Sequence, residues 1–182
     1  MRRKIFLGSV LILLVLSACQ TAPAEESVMR GGEPFELYLV AEEGMRGADL
    51  AVRPLEDLSL AAEPLITTED LTAYNWEQHT FDLTEEAYQR LMAVFSLGMP
   101  LDGLPFVVSA YEERIYAGAF WTPLSSLTFD GVVILTPFDP AAGTFFIFTG
   151  YPRADQFTGQ DPRGDKRLMH ALADAGLIEL EE

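Results

Sequence analysis

The stretch Pro105-Phe106-Val107-Val108-Ser109-Ala110-Tyr111-Glu112-Glu113-Arg114-Ile115-Tyr116-Ala117-Gly118-Ala119-Phe120-Trp121 holds two β-branched and aromatic runs separated by a pair of acids. Side chains of this kind fit a pleated, half-buried surface, and a short polar break between two such runs turns the chain back on itself. The stretch therefore predicts a hairpin. A second one follows, with residues 131–136 and 144–149 placed around Pro137, Pro140 and Gly143. In Thr144-Phe145-Phe146-Ile147-Phe148-Thr149 large apolar side chains fall on both faces of the strand, so the sheet is expected to be covered on each side.

Working back towards the N-terminus, residues 35–41 read as a strand and residues 42–47 as a turn. Residues 49–67 read as one or two further extended pieces interrupted by Pro54 and Pro64. Residues 80–83 alternate like a short strand. Thr84 then offers a capping hydroxyl, and Glu85 and Glu86 suit the positive end of a helix dipole. Tyr88, Leu91, Met92 and Phe95 recur at helical spacing and form one apolar face, with Gly98 as the stop. Near the C-terminus Leu168, Ala171, Leu172 and Ala175 form another such face, after Asp165 and before Gly176. The predicted fold is α+β: an antiparallel sheet of about five to seven strands carrying two main helices, at about 84–97 and 165–175. One globular domain over residues 35–182 accommodates all of it.

The 182 residues are 49% hydrophobic and carry a formal net charge of -16. Such an acidic surface repels nucleic acid and anionic lipid and favours cationic partners. Arg153, Arg163, Lys166 and Arg167 gather much of the positive charge in one C-terminal stretch, read here as a solvent-facing turn and helix start.

Arg2, Arg3 and Lys4 precede an apolar run over residues 5–16, which is too short to span a bilayer and of the length of an export signal. The single cysteine follows directly in Leu16-Ser17-Ala18-Cys19. This box resembles that of bacterial lipoproteins. The resemblance covers only the first nineteen residues, and it implies cleavage before Cys19 and acylation of Cys19 by chains of the palmitate type. Residues 1–18 are then a signal peptide and residues 19–34, polar and rich in small side chains, a lipidated tether. It also implies a location at the cell membrane or outer membrane, facing away from the cytoplasm. Since one acyl chain holds a protein only marginally, two or three give a lasting anchor. With Cys19 modified, no thiol remains for a disulfide, a metal or a nucleophile.

Catalytic signatures are absent from the sequence: there is no nucleophile elbow, no zinc helix, no phosphate loop and no dinucleotide fingerprint. No cofactor or metal is expected. Asp155, Asp161 and Asp165 lack the spacing of a calcium loop and read as turn and cap residues. His170 shares a helix face with Lys166 and Asp174 and reads as a solvated histidine paired with Asp174. His79 lies in Tyr74-Asn75-Trp76-Glu77-Gln78-His79, where aromatic rings, an amide and an acid crowd together ahead of a strand.

Two functions follow. The first is a binding or adaptor module for a protein or small-molecule ligand, using Tyr74, Trp76 and His79, or an aromatic patch of Tyr116, Phe120, Trp121 and Tyr151. Gly118, between Ala117 and Ala119, would let a ligand or another backbone come close. The alternative is a hydrolase in which His79 works with Glu77 or Asp82, which requires these groups to converge in one pocket. Binding asks for no unseen chemistry and is preferred.

Overall fold

The computed structural model describes residues 32–137 and 143–179. The stretch expected to be an export signal, Cys19, most of the expected tether and Pro140 lie outside these residues. The described chain runs β1 (Glu36–Leu39), two 3-10 turns (Gly47–Val52 and Leu55–Asp57), β2 (Ile66–Thr67), β3 (Leu71–Asn75), β4 (Thr80–Leu83) and α1 (Glu85–Ser96). There follow β5 (Leu104–Ala110), β6 (Glu113–Trp121), β7 (Phe129–Leu135), β8 (Thr144–Tyr151) and α2 (Lys166–Asp174). Among the described residues no helix is long and apolar enough to cross a membrane.

The strands form one sheet in the order β2-β1-β5-β6-β7-β8-β4-β3, curled into a half-barrel. Both expected hairpins form: β5 pairs antiparallel with β6, and β7 with β8. The sheet departs from expectation in two ways. It has eight strands, because residues 71–75 add one, and it is mixed, because β6 and β7 run parallel with Gly118 opposite Val132 and Trp121 opposite Leu135. Parallel neighbours ordinarily need a crossover of about a dozen residues or more. Here residues 122–128 suffice, pinned as they return: the Ser125 hydroxyl donates to the Leu101 carbonyl, and the Tyr151 hydroxyl reaches the carbonyls of Pro123 and Ser125. Residues 49–67, expected to be extended, are mostly irregular with two 3-10 turns and contribute only the two-residue β2 as a strand.

Both helices lie where their spacing puts them. The Thr84 hydroxyl accepts from Ala87 N at 3.2 Å, and the Asp165 carboxylate from Arg167 N at 2.8 Å, each capping orphan amides of a first turn. Gly176, at φ +71°, closes α2: its amide donates to Ala173 and that of Leu177 to Leu172.

One face of the sheet buries the helices. Tyr88, Leu91, Leu168, Ala171 and Leu172 meet Leu37, Phe106, Val108, Phe120, Ile134, Phe145 and Ile147 in a continuous core. On the other face the segment of 3-10 turns covers Val107, Ala119, Trp121 and Val133. That cover stops short of β8. Phe146 and Phe148 stack on each other at 5.9 Å on the outer face and remain 48% and 41% exposed, so the sheet is covered on both sides only over β5 to β7.

Candidate functional site

The β3–β4 hairpin turns through residues 76–79. The Asn75 side-chain oxygen accepts from Gln78 N at 2.9 Å, and His79 takes the left-handed conformation at φ +51°, uncommon for a residue other than glycine. The Trp76 ring stands 6.2 Å from that of Tyr74 and 6.1 Å, edge-on, from that of His79. Beside this hairpin runs a groove of about 760 Å³, walled on one side by β3 and β4 and on the other by residues 176–179. Its charged lining is acidic, consisting of Glu77, Asp82 and Glu179.

Next to the hairpin, the sheet has a gap that another part of the chain fills. β4 pairs with β8 from Asp82 to Thr80, and the last ladder bond runs from Ile147 N to the His79 carbonyl. Beyond it β8 continues to Tyr151 while the other chain turns away. The Ile147 carbonyl is taken instead by Nη1 of Arg163, at 2.5 Å. Asp161 grips the same guanidinium in a fork, accepting from Nε at 2.9 Å and Nη2 at 2.6 Å, and also accepts from Arg163 N as the cap of the 3-10 turn Pro162–Gly164. Arg163 is 15% exposed at its side chain and Asp161 43%.

Within electrostatic reach of this ion pair lie three buried polar atoms without a hydrogen-bond partner in the protein: the hydroxyls of Tyr74 and Tyr116, and Nδ1 of His79. They come from three places in the chain. The curl of the sheet brings Tyr116 of β6 within electrostatic reach of Tyr74 of β3, and both respond to Arg163 and Asp161. Burial pushes both phenol groups well up, so both remain protonated donors. Burial, and then the Arg163 charge, hold the His79 imidazole below its ordinary value, against a smaller opposing pull from Asp161. The hydrogen bond from the Arg163 side chain holds the Asp161 carboxyl low.

The residues singled out from sequence thus fall into separate places. Tyr74 and Trp76 line the groove, and His79 stands behind Trp76. The His79 side chain hydrogen-bonds to neither Glu77 nor Asp82, nor to any hydroxyl, and the charged groups that act on it are Arg163 and Asp161. The proposed patch of Tyr116, Phe120, Trp121 and Tyr151 is not a surface: the first three are buried, and half-buried Tyr151 packs on Trp121 at 5.7 Å. Alternation along β6 sends Tyr116 and Phe120 into the helix-covered core and Trp121 under the 3-10 segment. Gly118 does admit a close approach, by the Phe106 ring and the Val132 carbonyl. Ser125 is engaged with Leu101, and Asp174 accepts from the Tyr111 hydroxyl in place of His170.

The arginine cluster is neutralised locally, with Arg153, Arg163 and Arg167 each paired to an aspartate two residues away. Those same aspartates are the acids weighed for calcium. Among the described residues no group of three His, Cys, Asp or Glu side chains is placed to hold a metal ion. Sequence reasoning missed two features, the exposed Phe146–Phe148 pair and the Asp161–Arg163 pair that takes over the Ile147 carbonyl where β4 turns away. No protein-family model, curated protein or solved structure matches the chain.

Proposed function

We propose that the chain is a lipid-anchored, extracytoplasmic binding module of a bacterial cell envelope, and that its groove receives an extended, basic segment of a partner protein. The observation that carries this is the free edge of β3. Among the described residues the sheet ends in two edge strands, of which β2 has only two residues and β3 has five. Short edges resist pairing, whereas a longer one presents unpaired amides and carbonyls to any extended chain. A peptide laid along β3 would gain main-chain hydrogen bonds, with the groove taking its alternate side chains.

Its charge follows from the walls. Glu77, Asp82 and Glu179 line the groove without a lysine or arginine, and Trp76 adds an aromatic face to which guanidinium and ammonium groups are attracted. The Leu16-Ser17-Ala18-Cys19 box supports the anchoring.

The test uses two twelve-residue peptides, one alternating Arg or Lys with Val and one alternating Glu with Val, titrated against the mature chain by calorimetry. The basic peptide is expected to bind, with Glu77→Lys/Glu179→Lys weakening it at least tenfold and the reversal of the distant acids Glu42 and Glu43 leaving it nearly unchanged. Equal binding of both peptides, or equal loss from both reversals, would refute the groove as the site. Retention of a Cys19→Ser variant in the membrane fraction would refute the anchor.

A further inference from the structure

We infer that a crevice on the outer face of β7 and β8 binds a free fatty acid, holding its acyl chain on the sheet and its carboxylate against arginine. The crevice has a volume of about 310 Å³, within the range of sites that take a small molecule. No residue lines both it and the groove beside β3, so the inference does not depend on what the groove binds.

The floor of the crevice is sheet. Val133 lies opposite Phe148 in the β7–β8 ladder, and residues paired across antiparallel strands share a face; Leu135, two residues on, shares it too. The wall is the chain returning after β8. Gly150, at φ +72°, folds the backbone back so closely that a Cβ there would stand 2.6 Å from the Arg153 carbonyl oxygen, and the 3-10 turn Ala154–Gln156 then packs against β8. Tyr151, Pro152 and Ala154 complete the apolar lining.

The surface around the crevice and its charge name the guest. Phe148, in the lining, stacks on Phe146 at 5.9 Å, and the two rings stay 41% and 48% exposed, so apolar surface continues out of the recess along β8. A linear hydrocarbon can lie in the recess and run out over both rings, and removing that surface from water favours it. Although the chain carries 28 acidic residues against 12 basic ones, the charged groups lining the crevice among the described residues are Arg153 and Arg163 alone. Their partners Asp155 and Asp161 are 61% and 43% exposed and stand outside the lining. Of the five N–H donors of each guanidinium, Arg153 gives two to Asp155, and Arg163 gives three, to Asp161 and the Ile147 carbonyl. The remainder can meet a carboxylate, which pairs strongly with such a fork. Charge also decides against a bilayer as the occupant. A formal net charge of -16 repels an anionic lipid surface as a whole, whereas a single carboxylate in the recess meets the arginines nearest it.

The mature chain is titrated by calorimetry with hexanoate, octanoate and decanoate, and separately with decanol and decyltrimethylammonium. Saturable binding of the acids is expected, tightening roughly fourfold with each added methylene, and the cation is expected to bind at least tenfold more weakly than decanoate in spite of the acidic surface. Ala154→Trp, at an exposed position in the lining, should abolish binding of the acids. Arg153→Gln should weaken decanoate at least fivefold and leave decanol unchanged. Affinity that does not rise with chain length, equal binding of the cation, or undiminished binding by Ala154→Trp would overturn the inference. So would a protein that sediments with phosphatidylglycerol vesicles and takes up no decanoate, since the patch would then face a membrane. If Ala154→Trp does not melt as a folded protein, Arg153→Gln decides alone: equal binding of decanoate by it and the unaltered chain overturns the inference.

Discussion

Removing the Tyr116 hydroxyl should make the ligand-free protein more stable, which is the reverse of what deleting a buried hydrogen-bonding group ordinarily does. The hydroxyl is buried and has no hydrogen-bond partner. A polar group taken out of water without a partner costs roughly 1–3 kcal/mol. Phenylalanine keeps the ring in its place among the core side chains and leaves a void no larger than one oxygen, on the order of 10 Å³. At roughly 24 cal/mol per Å³ that void costs about 0.2 kcal/mol. The net gain for Tyr116→Phe is then about 1–3 kcal/mol, and in a domain of this size each kcal/mol moves the melting temperature by roughly 2–4 °C. Urea and thermal unfolding in a buffer free of carboxylates measure it. A loss of 1 kcal/mol or more in the carboxylate-free buffer would refute the reasoning, since it would mean that the hydroxyl is well paired in the folded protein.

Two further outcomes test the architecture and the electrostatics. A Cβ added at Gly118 would lie 2.6 Å from the Phe106 ring and 2.7 Å from the Val132 carbonyl oxygen, and a backbone atom of a paired strand gives way little; Gly118→Ala should therefore cost about 2–3 kcal/mol by denaturant unfolding, with Phe106→Leu restoring part of it. As for pH, His79 has a lowered value in the folded chain, so the unfolded chain binds its proton more readily. The stability this contributes is complete above the ordinary histidine value of about 6.5 and is lost as pH falls through the lower folded value. His79→Asn, which tolerates the left-handed backbone at this position, should remove that dependence as pH falls below about 6.5, whereas His170→Asn should leave it.

Local signals were the legible part of this fold. Thr84, the Tyr88 to Phe95 face, Asp165 and Gly176 act through neighbours three or four residues away, and both helices stand where those residues put them. The β5–β6 and β7–β8 hairpins are equally local. What failed was long-range. Nothing in residues 122–128 announces a parallel return, because the contacts that pin it are to Leu101 and Tyr151, far off in sequence. Residues 71–75 carry Thr72, Ala73 and Asn75 outside the core and so lack an apolar run, yet they pair as a strand. The aromatic density of residues 106–121 reads equally as core or as patch, and only the cover supplied by residues 47–58 decides for core.

The candidate site is the furthest from local, and the reason lies in unequal strands. β8 runs eight residues, while β4 offers it only three paired positions before His79 turns off. A strand that outruns its neighbour leaves main-chain groups needing partners, and a buried carbonyl without one is costly. Arg163 meets that need at Ile147, but an arginine brought to a sheet edge carries a charge that must itself be neutralised, which fixes Asp161 two residues before it. Within electrostatic reach of the ion pair the curled sheet places two phenol hydroxyls and an imidazole nitrogen that find no partner in the protein. Each step follows from the one before except the last. Three polar side chains left there without protein partners cost roughly 1–3 kcal/mol each, so this corner, assembled from segments far apart in sequence, is where the fold is least satisfied.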